Sequence, residues 1–139
     1  MRPVDRVIAE AERLLERPPA SDGHIDLRWK ALIDVADFVR SDPDDVWRFV
    51  LRWGTADDDD VRAAIATCLL EHLLEHHFDR IFPLVEDAVS NPRFADTFCL
   101  CWKFGQSDRP PNAGRFDRLR KDLAERRARS GVRGGVQTA

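Results

Sequence analysis

The chain has 139 residues, 22 Lys and Arg against 25 Asp and Glu, a net charge of -3, and three cysteines. That length suits one domain that buries about two thirds of its unfolded surface. An odd cysteine count without paired spacing argues against a disulfide framework and for a reducing compartment. The opening MRPVDRVIAEAERLLERPP is broken by charge every few positions, so it lacks a signal-peptide core, and no apolar run approaches the ~20 residues of a membrane span. The expected location is the cytoplasm, with no membrane partner.

In chain order, Val4, Ile8, Ala11 and Leu15 share one stripe of a short amphipathic helix over residues 4–16, which Pro18-Pro19 ends. Ser21-Asp22-Gly23 reads as a turn. From residue 24 to 40 the spacing of Ile25, Trp29, Leu32, Ile33, Ala36 and Val39 gives a second helical face. Asp42 is a predicted N-cap, Pro43 suits the first helical position, and Asp44 and Asp45 favour the helix dipole; this third helix runs to about Trp53 and stops at Gly54.

The longest helical signal covers residues 57–78. Leu69, Leu70, Leu73 and Leu74 make one broad apolar face, and Val61, Ile65 and Cys68 make a second, so this helix is predicted to be sandwiched between neighbours. Asp57, Asp58, Asp59 and Asp60 fall at its start, where carboxylates meet unsatisfied amides and the positive end of the dipole. Residues 79–90 read as a fifth helix with Pro83 expected in its first turn, and Asn91-Pro92 punctuates it. Phe94, Phe98, Cys101, Trp102 and Phe104 predict a sixth helix capped by Gly105. A Pro-rich loop over 106–114 leads to a last, charged helix marked by Phe116, Leu119 and Leu123, and the Gly-rich 130–139 reads as a disordered tail. The expected organisation is therefore all-α, with about seven helices in a single domain over residues 1–129.

Alternate helices start roughly 34 to 39 residues apart, the period of stacked helical pairs. A repeat is visible in the letters, with Asp26-Leu27-Arg28 and Asp60-Val61-Arg62 opening the second and fourth helices. At Asp60-Val61-Arg62-Ala63-Ala64, preceded by a shorter helix with Trp47 and Val50, the chain resembles the HEAT repeat family over residues 24–104. The run CWKFGQS, followed by NAGRFDRL, is similar to small bacterial HEAT-like proteins without assigned activity. The resemblance implies antiparallel helix pairs stacked as a short α-solenoid that binds a macromolecule, and it carries over no catalytic residue.

Cys68, His72 and His76, at i, i+4 and i+8, would project from one side of a helix, and Cys99 or Cys101 is in principle available to complete a zinc site. Neither Cys-x-x-Cys nor His-Glu-x-x-His is present, so these residues read as packing and helix-end groups, with no metal and no cofactor. Glu71 and Glu75 are spaced as an acid/base pair but read as a solvent-facing strip, and Cys99 and Cys101 as buried small residues. Trp29, Trp47, Trp53 and Trp102 lie mostly in apolar stripes and are expected in the core, Trp53 with partial exposure beside Gly54.

Charge is uneven. Residues 34–60 hold nine acids against three bases, and residues 103–133 hold ten bases against four acids. The acids exceed what capping needs. The expected function is thus a non-enzymatic helical-repeat module of adaptor, inhibitor or toxin-neutralising type. It would dock a protein with a basic surface through Asp42, Asp44, Asp45, Trp53, Asp57, Asp58 and Asp59, or through a concave helical surface. The alternative is nucleic-acid binding through Arg115, Arg118, Arg126, Arg127 and Arg129 of the basic C-terminal helix.

Overall fold

The computed structural model describes residues 1–17 and 27–138, with side chains described as far as residue 130. Among the described residues there is no strand, and seven helices follow in order: α1 (Pro3–Leu15), α2 (Leu27–Ala36), α3 (Pro43–Trp53), α4 (residues 59–76), α5 (Phe78–Ala88), α6 (Pro92–Cys99) and α7 (Asn112–Thr138). α4 is continuous but not uniform: α-helical Asp59–Ile65 and Glu71–His76 flank a π-helical turn, Ala66–Leu70. A 3-10 turn, Gly105–Asp108, precedes α7. The readings placed on Pro18-Pro19, on the Ser21-Asp22-Gly23 turn, and on Ile25 and Asp26 lie outside the described residues. Among those described, no helix is long and apolar enough to cross a membrane.

Local chemistry explains most helix starts. The Asp58 carboxylate accepts from the amides of Asp60 at 2.9 Å and Val61 at 3.2 Å, so that within the acidic run it is Asp58 that caps α4. Asn91 does the same for α6, accepting from Arg93 and Phe94. Asp42 occupies the N-cap position of α3 but makes no capping bond; its carboxylate takes the Ser41 hydroxyl at 2.8 Å, and Pro43 supplies the start. α3 ends where it must turn tightly under a neighbour, since a Cβ at Gly54 would lie 3.1 Å from the Phe94 ring.

The core is built around α4. Ile65, Leu69, Leu70, Leu73 and Leu74 are all fully buried, and α4 packs on α2 and α3 on one side and on α5 and α6 on the other. The sandwich read from the two apolar faces is present, although Cys68 is only half-buried. A row of phenylalanines then binds the last three helices: Phe78 stacks on Phe82 at 4.6 Å, Phe82 meets Phe98 at 6.4 Å, and Phe98 meets Phe116 at 4.8 Å. Trp47 packs edge-on against Phe94, joining α3 to α6.

Ion pairs record the direction of the helices. Arg2 at the start of α1 bonds Asp45 at the start of α3, at 2.9 and 3.1 Å, and Asp44 pairs with Arg80 at the start of α5. At the opposite end, Asp57 before α4 pairs with Arg93 at the start of α6. Helices α1, α3 and α5 therefore begin at one end and α4 and α6 at the other.

Three expectations need correction. α6 stops at Cys99, and residues 101–104 leave the helix without regular structure, because the Leu100 and Cys101 amides turn back to Thr97 and Phe98 instead of continuing the ladder. Pro83 lies past the first turn of α5; it is tolerated because it and Asp79, whose carbonyl loses an amide partner, both face solvent. Trp29 and Trp102 are exposed, while Trp47 is core and Trp53 half-buried. The backbone of α7 is helical as far as Thr138.

Leu73 is wholly buried at the centre of the sandwich, so Leu73→Asp places an unpaired charge there, a change that costs several kcal/mol. The expected outcome is loss of the cooperative thermal transition by circular dichroism; a melt like that of the wild type would show that α4 is not the core helix.

Candidate docking surfaces

The acidic residues expected to meet a partner divide into two groups. Asp44 and Asp45 are engaged within the chain. The Arg80 guanidinium holds the Asp44 carboxyl below the usual carboxylate range, and the nearly buried Asp45 is shared by Arg2 and Arg48. The Asp57–Asp60 turn is more open. Asp58 caps α4, while Asp57 and Asp59 keep 82% and 88% of their side-chain surface exposed despite pairing with Arg93 and Arg62. Exposed pairs of this kind contribute little to stability and exchange readily. Arg62 explains much of the turn, donating to the carbonyls of Ala56 at 2.6 Å and Asp57 at 3.1 Å. Trp53 sits half-buried under the Arg52 guanidinium, 5.1 Å above its ring.

The strongest unexplained surface lies elsewhere. Between α6 and the 3-10 turn, alternate side chains point outward: Leu100, Trp102 and Phe104 are 46%, 69% and 43% exposed, while Cys101 between them is buried. Free large apolar side chains side by side on a folded surface mark an interaction site more often than single ones do.

This ridge is held from beneath by the second half of α4. The π turn brings the Ala66 carbonyl towards the Cys101 thiol, which donates to it at 3.6 Å. The Trp102 amide donates at 2.9 Å to the carboxylate of Glu71, and Phe104 stacks on the His72 ring with centroids 6.2 Å apart. Gly105 has φ +51 and presses on the helix so closely that a Cβ would fall 2.8 Å from Glu75 Cγ, so glycine is required twice over. Gln106 spans the α4–α5 junction, its amide group donating to the His76 carbonyl at 2.7 Å and its oxygen accepting from the Phe78 amide at 2.9 Å. Ser107 and Phe104 close a local box, and Arg120 of α7 donates to the Cys101 carbonyl at 2.7 Å. The run CWKFGQS is thus a docking strap on α4 rather than the end of a helix.

Of the residues singled out for metal or acid/base chemistry, Glu71, His72, Glu75, His76 and Cys101 belong to this seat. His72 Nδ1 lies 2.8 Å from Glu75, His76 Nε2 3.5 Å from the same oxygen, and His72 Nε2 3.9 Å from Glu71. Cys68 falls within the π turn, and among the described residues no group of three or more His, Cys, Asp or Glu is placed to hold a metal ion. Glu71 is not on a solvent-facing strip: it is buried, and burial pushes its pKa above the ordinary carboxylate value. Burial also pushes the Cys68 and Cys99 thiols up, and Cys101 most of all, which disfavours the thiolate that redox or nucleophilic chemistry needs. What spacing alone missed is that Glu71 reaches across to a backbone amide thirty-one residues away in the chain.

On the C-terminal helix, Arg115 lies over Phe78 and Phe82 and approaches Glu86 at 3.5 Å, and Arg127 approaches Asp96 at 3.4 Å. Asp117 takes Lys103 at 2.7 Å from outside the helix.

The chain matches no protein-family model, no curated protein and no solved structure.

A carboxyl whose pKa is raised on folding binds its proton more tightly in the native state, so stability rises as pH falls through the folded pKa towards the unfolded value, and the cost of the charge is fully present above it. Glu71→Gln keeps an acceptor for the Trp102 amide and removes the charge. The variant is expected to melt higher than wild type at pH 8 and to lose that advantage as pH is lowered into the ordinary carboxylate range. A variant that melts lower than wild type at pH 8 would show that the charge itself secures the strap.

Proposed function

We propose that the chain is a non-enzymatic protein-binding module built as a short HEAT-like array of antiparallel helix pairs, and that Leu100, Trp102 and Phe104 form its principal docking surface. The alternation of helix starts between two ends supports the array, as does the packing of α1 on α3 and of α4 on both α2 and α6. The observation that carries the function is the rigid presentation of an exposed tryptophan. Its backbone is tied to α4 by Glu71 and to α7 through Arg120, yet Trp102 remains 69% exposed. A partner meeting a side chain carried on a backbone already held in place loses less ordering entropy, a condition that favours tryptophan as an interface hot spot.

The Asp57–Asp59 turn supplies the acidic character expected of the surface and would steer a basic partner without contributing much affinity. Asp42, Asp44 and Asp45 act within the chain in this reading. An adaptor, inhibitory or toxin-neutralising role fits a module that contributes a surface and no chemistry.

Immobilised wild-type protein and Trp102→Ser/Phe104→Ser, shown to melt alike, would be compared for retention of proteins from the source cell at high salt. A partner retained by wild type is expected to bind the double variant at least about 30-fold more weakly, the effect of losing one hot-spot side chain. Equal retention by both would remove the ridge as the docking surface.

A further inference from the structure

We propose that the groove between α7 and the α5–α6 corner is a second docking site, which takes an acidic peptide segment carrying one large apolar side chain. The inference rests on the reading of the chain as a protein-binding module but uses a different surface from the ridge. The groove has a volume of about 330 Å³ and is lined by the apolar Val89, Pro92, Ala95 and Leu123 and by the charged Arg126, Arg127 and Asp96. That volume is at the lower end of the roughly 300–1,000 Å³ of ligand pockets, enough for a side chain and its neighbours but not for a whole helix.

The charged and apolar linings select different parts of an occupant. Residues 112–130 carry seven bases against three acids, in a chain whose net charge is -3, so this helix is the basic face of an acidic protein. Arg127 is 80% exposed and its contact with Asp96 is long, at 3.4 Å, so its guanidinium can exchange that carboxylate for one on a partner. Val89 and Leu123 are nearly buried and form an apolar lining that a phosphate backbone would leave wet. Charge complementarity alone would fit a nucleic acid equally well; the apolar lining beside the arginines favours a peptide.

The test is selection of a random-peptide display library on the intact protein. Selected peptides are then titrated against wild type, Trp102→Ser, Arg126→Glu/Arg127→Glu, and Ala95→Arg, which fills the groove while keeping it basic. All four proteins are first matched by circular dichroism and melting. The proposal expects peptides with several Asp or Glu around one large apolar residue that bind wild type and Trp102→Ser equally. They should bind each groove variant at least about 10-fold more weakly, and Ser in place of the apolar residue should cause a similar loss. Failure to select any peptide, peptides without acidic residues, or a single-stranded oligonucleotide that competes as well as the peptides would overturn it. Peptides that lose binding to Trp102→Ser while keeping it to both groove variants would overturn the groove and support the ridge.

Discussion

The seating of residues 100–108 on the second half of α4 is the contact on which the remaining structure depends. α4 and α5 are separated by His77 alone, whose backbone leaves the helical region. The break exposes a carbonyl on one side and an amide on the other, and the Gln106 side chain answers both from a distant part of the chain. His77 in turn bonds the Val39 carbonyl at 3.0 Å, so the same corner fixes the turn that follows α2. A part-buried amide or carbonyl left without a partner costs about 1–3 kcal/mol, so this single side chain links the central helix, its successor and the strap. Glu71 completes the arrangement by accepting a backbone amide in a place where a charge is otherwise disfavoured.

The strap converts a core constraint into a surface. Because its amides and carbonyls are committed inward, the alternate side chains are turned outward, and Leu100, Trp102 and Phe104 keep 46%, 69% and 43% of their surface exposed even though Phe104 also stacks on His72. The charged surface behaves in the opposite way. Arg2, Arg48, Arg80 and Arg93 sit on the carboxylates at the helix starts, so the acidic runs that look surplus in the sequence are largely matched within the chain. The Asp57–Asp59 turn keeps most of its surface in water, and it suits steering better than anchoring.

Much of the architecture was legible because helical periodicity and capping are local. The apolar stripes placed α1, α3, α4 and α5 within two residues of their ends, and Pro43, Gly54 and the Asp57–Asp60 run marked boundaries for the reasons their chemistry gives. The docking strap was not legible. Phe94, Phe98, Cys101, Trp102 and Phe104 share helical spacing, but the ladder ends at Cys99, and only Gly105, read as a helix cap, hinted at a backbone that must turn left-handed. Glu71 and Glu75 looked like a solvated strip because their partners, Trp102 and Gly105, come from thirty residues further along the chain. The π turn at residues 66–70 likewise leaves no signature in the letters, although it changes the pitch of the central helix just before Glu71. The candidate site was therefore present in the sequence as the run CWKFGQS, but its orientation was set by contacts that no local pattern contains.

Amide hydrogen exchange resolved to single residues tests the strap most directly. If residues 100–108 are seated as described, the amides of Trp102, Phe104 and Phe78 exchange as slowly as those in the middle of α4, and Gln106→Ala speeds exchange at Phe78. Exchange of Trp102 and Phe104 at the rate of an open loop, with α4 still protected, would contradict the account, because the ridge would then not be held in place.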